Sequence, residues 1–303
     1  MPHDHHHHHH HYADIEGDRK VGLAVAVNIL LTLVQIVAGI VAGSLALIAD
    51  AIHNLSDALS LVIAFLARRI ARRPADERMT FGYGRAEVVA AMVNYTTLIL
   101  LALYLAAQGV ERLFNPVEVT GWVVVVVAAV ALVVDTVTAW LILRLSKDSM
   151  NMRAAFLHNL ADAMGSVAVI VAGTLILLYD WRLIDPIVTL LIAAYILWHA
   201  AQEIVPVIRV LMLGAPEGTD VGELIETLEA AEGVEEVHHV HLWRMQEHET
   251  AFEAHVVIAD SANPTRLRHD LKSLLQDRFG IGHTILEFET CADACPDAHQ
   301  IGH

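Results

Sequence analysis

Cysteine is almost absent from this sequence: Cys291 and Cys295 are the only two among its 303 residues. Two cysteines close together near one end do not form a disulfide framework, and they fit a reducing compartment for that end of the chain. The long apolar stretches contain no cysteine, so a thiolate site selective for the softest metal ions is excluded from them.

Positive charge is scarce in the last third of the chain. From residue 217 onward there are 18 acidic and 5 basic residues, which gives −13 of the formal net charge of −16. A protein that binds nucleic acid needs basic side chains to neutralise phosphates, so nucleic acid is excluded as a partner. A surface this acidic instead attracts cations.

Two further signatures are missing. No G-x-x-x-x-G-K-[ST] loop occurs, which argues against an ATP-driven pump. The chain starts with histidines and acids rather than with the n-region of a signal peptide, and the apolar run from Val21 is too long for an h-region. Residues 1–20 include His3 and the run His5–His11; we expect a disordered segment, either a native metal-attracting tail or an affinity tag.

Apolar residues dominate what is present. They make up 55% of the chain, and the mean hydropathy of +0.50 predicts a membrane protein with a smaller polar part. Six stretches approach the ~20 residues that cross a bilayer as a helix. They cover residues 21–42, 46–67, 87–110, 120–143, 154–178 and 185–209. The sequence thus predicts an all-α, six-helix transmembrane domain over residues 21–210.

Basic residues between these stretches predict the orientation. Twelve lie in the loops and flanks of one side and two lie on the other, a strong positive-inside signal. We therefore expect both termini in the cytoplasm and an integral protein of a bacterial inner membrane. The twelve are Arg19, Lys20, Arg68, Arg69, Arg72, Arg73, Arg78, Arg85, Arg144, Lys147, Arg153 and Arg209, and the two are Arg112 and Arg182.

The chain changes character after residue 214. Helical spacing of apolar residues predicts helices over 219–231 and 265–279, and strand patterns occur at 237–243, 252–258 and 284–288. These elements predict a small cytoplasmic α+β domain over 215–290, with helices packed on one sheet. Residues 291–303 form a tail that contains Cys291 and Cys295, a weak candidate for extra metal binding.

Two near-copies of one motif lie inside the apolar stretches. His53-Asn-Leu-Ser-Asp57 and His158-Asn-Leu-Ala-Asp162 each place a histidine and an aspartate four residues apart, on one face of a helix. Ionisable residues in a membrane span are costly and default to functional candidates. Two such helices side by side offer two imidazoles and two carboxylates, a tetrahedral set for a divalent metal ion. The isolated Asp50 and Asp135 are predicted to be interhelical hydrogen-bonding groups.

The chemistry of this quartet predicts a mode of action. Two ionised aspartates give a charge of −2 that a divalent cation neutralises, and neutral imidazole suits Zn²⁺ better than Mg²⁺ or Ca²⁺. The same groups bind protons, which metal binding must displace. We hypothesise an exchange of metal for protons across the bilayer. The set also accepts Co²⁺, Cd²⁺, Ni²⁺ or Fe²⁺.

Longer motifs resemble a known family. The segment 43–51 that leads into His53–Asp57 is similar to span two of the cation diffusion facilitator family. The segment Phe81-Gly-Tyr-Gly-Arg-Ala-Glu87 is similar to its loop into span three, and the motif at 158–162 is similar to its span five. The resemblance implies a homodimeric exporter of zinc and related ions with a ferredoxin-like cytoplasmic domain. It also implies that His53, Asp57, His158 and Asp162 form the transport site.

The chain departs from some members of this family at two places. Met79 and Tyr83 stand where some relatives carry histidines of a second metal site, so with only Asp76 remaining we expect that site to be absent. Leu213 stands where some relatives have an acid after span six, which puts a latch through Arg85 in doubt.

The cytoplasmic part is rich in histidine. On a strand, His239 and His241 share a face that His255 on the next strand can meet. The resemblance places a structural or regulatory Zn²⁺ near His241, His255, His269, Glu287 and Glu289. The alternative is an acidic surface with scattered, solvated histidines.

Three functions compete. The first is a secondary carrier that exports Zn²⁺ for protons, which is a transporter rather than an enzyme. The second is a membrane metalloenzyme, although no H-E-x-x-H motif occurs and four protein ligands leave no open coordination position. The third is a membrane-anchored metal sensor.

Overall fold

The structure is a computed structural model that describes residues 29–145, 150–246, 249–292, 294 and 299–302. The histidine-rich segment 1–20 lies outside them. The chain divides into two compact units. One contains the residues up to Val62 together with Asn94–Ala201, and the other contains Ile63–Val93 together with the residues from Gln202 onward.

Six apolar helices confirm the helical membrane domain. Five are long and apolar enough to cross a bilayer, and the first is described over a shorter range. Apolar side chains on these helices are widely exposed, as a lipid-facing surface requires, and Leu100 and Val133 are examples. The bounds are α1 Ile29–Ala42, α2 Leu45–Ala71, α3 Ala86–Phe114, α4 Gly121–Leu145, α5 Met150–Tyr179 and α6 Ile184–Leu211.

A buried carboxylate caps the start of α2. Asp185 at the start of α6 accepts hydrogen bonds from the backbone N–H groups of Leu45 and Ala46 at 2.8 and 3.3 Å, and from Ser44 Oγ at 2.5 Å. The Ser44 hydroxyl in turn accepts from Leu47 N at 3.1 Å. The first N–H groups of a helix have no partner within the helix, so these contacts remove a cost that an apolar environment would make large.

The turn before α2 depends on a glycine. Gly43 has φ +73°, and a Cβ atom there would lie 2.6 Å from the carbonyl oxygen of Glu118. Arg112 on α3 donates to the Gly43 carbonyl at 2.6 Å, and its Nη1 lies 3.8 Å from Asp185 Oδ2. This arginine therefore reinforces the junction of α1, α2 and α6.

The C-terminal elements form the expected ferredoxin-like α+β arrangement. Their order is α7 Val221–Glu229, β1 Val234–Gln246, β2 Glu249–Ile258, α8 Pro264–Phe279 and β3 His283–Glu289. Strand β2 is central, antiparallel to β1 and parallel to β3, with α8 as the crossover. Asp220 and Asn263 cap the two helices, and Gly280 ends α8 in the left-handed conformation.

Strand β1 is irregular where its histidines lie. The pairing with β2 shifts register between His238 and His241, and His239 between them has φ +49°. His238 therefore faces His255, whereas His241 faces Glu253. The bulge adds a residue between His238 and His241, and the ring of His239 meets that of His255 with centroids 4.8 Å apart.

The junction at Asp185 gives a stability prediction. Replacing Asp185 with alanine leaves the Leu45 and Ala46 N–H groups without an acceptor, and we expect a loss of about 1–3 kcal/mol. Thermal unfolding of the detergent-solubilised protein measures it. Thr174→Val is the matched control, because that hydroxyl only donates to Ile170 O of its own helix. Equal melting temperatures for the two variants would contradict this account of the junction.

Candidate metal sites

Three of the four predicted ligands in the membrane domain converge. His53 Nε2 lies 3.8 Å from Asp57 Oδ2 and 3.3 Å from Asp162 Oδ1. Ligand atoms of all three residues lie within 4.8 Å of one another. Helix α2 supplies His53 and Asp57 from successive turns, and α5 supplies Asp162. These three side chains from two helices are placed so that they could hold one metal ion.

The fourth predicted ligand, His158, lies on the backbone of α5 four residues before Asp162. Its side chain lies outside the described residues. The helical spacing puts the two positions on one face of α5, as on α2. A complete His₂Asp₂ set therefore stays a prediction.

The partial burial of this site strengthens the interactions between its charged groups. The side chain of His53 is 14% exposed and that of Asp162 is 9% exposed. Two carboxylates this close in a poorly solvated place repel each other unless a cation or a proton lies between them. The site is thus built to hold positive charge.

An aromatic side chain on α6 contacts the site and was missed from the sequence. The ring of Tyr195 lies edge-on to His53, with centroids 6.0 Å apart and planes at 87°. The ring of His199, one turn further along α6, lies 6.3 Å from the Tyr195 ring, centroid to centroid. A tyrosine in an apolar span carries no sequence signal of its own, so only the packing of α6 reveals this neighbour.

The two isolated aspartates make interhelical contacts, as expected. Gln35 Nε2 on α1 donates to Asp50 Oδ2 at 3.0 Å. Ser166 Oγ on α5 lies 3.3 Å from Asp50 Oδ2 and 3.4 Å from Asp135 Oδ2. These four side chains join α1, α2, α4 and α5.

A second candidate centre lies on the C-terminal sheet. His238, His239 and His255 offer ligand atoms within 4.8 Å of one another, and so do His255, Glu287 and Glu289. His255 Nδ1 lies 2.5 Å from Glu289 Oε1, and His238 Nε2 lies 3.2 Å from Glu289 Oε2. The strand pairing causes this, because His238 is opposite His255 and His255 is opposite Glu287.

This cluster differs in part from the predicted set. It brings together His255, Glu287 and Glu289, and it adds His238 and His239. Within the described residues, the three-ligand groups on the sheet contain neither His241 nor His269. His269 is exposed on α8, where its Nδ1 lies 3.2 Å from Ser273 Oγ. The bulge at His239, which periodicity does not signal, accounts for the change on β1.

The donor set of this cluster fits a zinc ion. His238 is only 2% exposed, and neither of its ring nitrogens has a hydrogen-bond partner among the described residues. A buried imidazole without such partners is costly, and coordination of a cation removes the cost. Imidazole nitrogens with carboxylate oxygens are the ligands that Zn²⁺ takes in the absence of cysteine.

Asp76, the remaining candidate ligand of a second metal site, has a structural role in the loop between α2 and α3. Asp76 accepts from the N–H groups of Arg78 and Met79 at 2.8 and 2.9 Å, and from the Tyr83 hydroxyl at 2.8 Å. The Tyr83 hydrogen bond, followed by the two backbone bonds, lowers the pKa of Asp76. The same bond to Asp76 raises the pKa of Tyr83. Tyr83 thus helps to hold Asp76 inside the loop.

Two other residues with open sequence interpretations have contacts. Arg85 Nε donates to the carbonyl of Met245 on β1 at 2.8 Å, so a backbone oxygen rather than an acid receives it. Cys291 Sγ lies 2.7 Å from Glu235 Oε2, and this hydrogen bond raises the pKa of the thiol. Cys295 lies outside the described residues.

Comparisons with known proteins cover almost the whole chain. The family model for the cation efflux transmembrane domain matches residues 21–212. The family model for the cytoplasmic domain of cation efflux proteins matches residues 216–291.

Three similar proteins cover most of their own length as well. A cadmium, cobalt and zinc/H⁺–K⁺ antiporter of Bacillus subtilis is 33% identical, over 85% of this chain and 84% of its own. The metal cation efflux system protein CzcD of Cupriavidus metallidurans is 32% identical, over 93% and 90%. The zinc transporter ZitB of Escherichia coli is 33% identical, over 99% and 96%.

The sheet cluster gives a prediction about metal content. His238→Ala should remove one zinc equivalent from the purified full-length protein, because it takes away the most buried ligand. His269→Ala should leave the content unchanged, since this exposed residue lies apart from the cluster. Equilibrium dialysis with metal analysis measures both. A lost equivalent in the His269 variant alone would contradict the cluster as described.

Proposed function

The chain belongs to the cation diffusion facilitator family, and from that premise we propose that it exports Zn²⁺ from the cytoplasm in exchange for protons. Metal efflux across a membrane is the activity of the family, and similar proteins are named as transporters and antiporters. The chain is therefore an integral membrane transporter and not an enzyme. Exchange for protons and the choice of zinc are the further steps of the proposal.

One observation carries the proposal: His53 Nε2 faces carboxylates from two different helices, at 3.8 and 3.3 Å. A nitrogen donor with two oxygen donors suits a borderline divalent ion such as Zn²⁺, whereas Mg²⁺ and Ca²⁺ prefer oxygen alone. His158 is proposed as the fourth ligand. The set does not discriminate strongly against Co²⁺, Cd²⁺, Ni²⁺ or Fe²⁺, which are proposed as secondary substrates.

Proton exchange follows from the same ligands. A histidine and carboxylates bind either a metal ion or protons, and each must lose its proton to coordinate. An empty, fully ionised site would leave net charge in a poorly solvated place, which is expensive. The site therefore passes between a metal-loaded and a protonated state, and it reaches opposite sides of the membrane in turn.

The cellular arrangement is proposed from the loop charges. The side with twelve basic residues is the cytoplasm, so the termini and the domain at 215–290 are cytoplasmic, and the transmembrane domain covers 21–210. The bilayer is the inner membrane of a bacterium. The working unit is proposed to be a homodimer that operates by alternating access.

The cluster on the sheet is proposed to hold a regulatory zinc ion. Ligands from all three strands meet there, since His238 lies on β1, His255 on β2 and Glu289 on β3. Occupancy by zinc would fix the strands to one another and would report the cytoplasmic zinc level. A separate function as a membrane-anchored sensor has no observation that favours it over transport.

Zinc flux in proteoliposomes tests the transport proposal. Zn²⁺ uptake should accelerate when the lumen is acidified, and the lumen should become less acidic as zinc enters. Asp57→Asn with Asp162→Asn should lower the flux more than about tenfold, because even indirect support of a metal ligand is worth 10–100-fold. Thr174→Val, which replaces a polar side chain of α5 away from the ligands by an apolar one, is the control. Flux that ignores the pH gradient would contradict proton exchange, and flux that survives the double substitution would contradict the site.

A further inference from the structure

A second polar cluster lies inside the membrane domain beside the metal ligands. It consists of Gln35 on α1, Asp50 on α2, Asp135 on α4 and Ser166 on α5. Each of the four residues is at most 6% exposed. The transport site does not use any of them, so their presence in an apolar environment needs its own explanation.

The four helices approach closely at this cluster. A Cβ atom on Gly165 would lie 2.9 Å from Asp50 Oδ1, so the glycine lets α5 come against α2. Gln35 Nε2 donates to Asp50 Oδ2 at 3.0 Å, while Gln35 Oε1 is buried with no hydrogen-bond partner among the described residues. The cluster thus has more acceptor oxygens than donors.

With both aspartates ionised, the cluster would have one proton too few for its contacts. Ser166 Oγ is within reach of carboxylate oxygens of both Asp50 and Asp135, yet a hydroxyl has only one proton to donate. If both aspartates were ionised, one of these contacts would join two lone pairs, and two negative charges would share a buried place. One added proton resolves both problems. A carboxylic acid then donates to Ser166 Oγ, and Ser166 donates to the other carboxylate.

We propose that Asp50 and Asp135 share one proton through Ser166, and that this proton leaves when a metal ion binds to His53, Asp57 and Asp162. The coupling rests on the proposed exchange function, whereas the shared proton does not. On metal binding an O–H bond of the acid breaks and the proton passes to water. The pair is left as two carboxylates, and the charge of the divalent ion offsets the added negative charge.

Position along the helices provides the coupling. Asp50 precedes His53 by three residues on α2, and Ser166 follows Asp162 by four residues on α5. The pair therefore lies about one turn, or ~5 Å, from the metal ligands along both helices. At that separation and in a poorly solvated place, two unit positive charges strongly disfavour a neighbouring proton.

The titratable groups that face the pair are few. They are His53 and Asp57 on α2 and Asp162 on α5, together with the two aspartates themselves. The described part of α1 contributes none, and the described residues of α4 contribute, besides Asp135, only Arg144, which lies about two and a half turns further along the helix. Metal binding also releases protons from the ligands themselves, and the shared proton is counted in addition to these.

Proton release during zinc binding tests the proposal. Full-length protein in detergent is titrated with Zn²⁺ in weakly buffered solution, and a pH-sensitive dye counts protons per zinc. All variants carry His238→Ala and His255→Ala, so that the sheet cluster does not contribute. Asp50→Asn, Asp135→Asn and the double variant should each release about one proton fewer than the parent, because asparagine keeps the size and cannot hold the proton. Thr174→Val should match the parent.

The double variant gives the sharpest outcome. Its loss should equal that of either single variant, since the two aspartates share one proton. A loss of two protons in the double variant would mean independent protons, and an unchanged count in all three variants would mean that no proton is held. Counts that instead depend on Na⁺ or K⁺ in the solution, and not on Asp50, would assign an alkali cation to the cluster. Each of these results overturns the proposal.

Infrared spectroscopy provides a measurement that does not need zinc transport. The zinc-free protein should show the C=O stretch of a buried carboxylic acid, which disappears in the double variant and on zinc binding to the parent. Absence of the band in the zinc-free parent overturns the shared proton even if a variant no longer binds zinc. A parent protein that shows the band but moves zinc without protons would instead overturn the exchange function alone.

Discussion

The cost of a carboxylate inside the membrane domain is the constraint on which this structure depends. Each buried aspartate has a different form of compensation. Asp185 accepts from the first N–H groups of α2, and Arg112 lies near it. Asp162 faces His53, and Asp50 accepts from Gln35 and lies near Ser166. The first is satisfied permanently by hydrogen bonds within the protein, whereas the others are proposed to be neutralised by a cation or a proton that can leave.

Asp185 thus serves the scaffold, whereas Asp50 and Asp162 are assigned to the proposed transport function. The hydrogen bonds at Asp185 fix the start of α2, which then carries Asp50, His53 and Asp57 on successive turns. Helix α5 brings Asp162 and Ser166 to them at matching heights. The buried His238 on the sheet also needs compensation, because neither of its ring nitrogens has a hydrogen-bond partner among the described residues, and Glu289 Oε2 lies 3.2 Å from its Nε2.

The sequence allowed most of the fold to be predicted, because apolar length and helical spacing are local properties. The repeated His-x-x-x-Asp spacing located three converging side chains, since positions four apart on a helix share a face. The ligands on the sheet were harder, because a bulge at His239 turns His238 rather than His241 toward His255. Partners such as Tyr195 and Gln35 come from distant helices, and no local pattern identifies them.

The central claim is that zinc is held in the membrane domain by nitrogen and oxygen ligands from α2 and α5. X-ray absorption at the zinc edge measures it most directly, on full-length protein loaded with one zinc and carrying His238→Ala and His255→Ala. The account predicts a four-coordinate zinc with two imidazole and two carboxylate ligands, and loss of one imidazole in His53→Ala and in His158→Ala. A spectrum with sulfur ligands, or one that neither substitution changes, would contradict it.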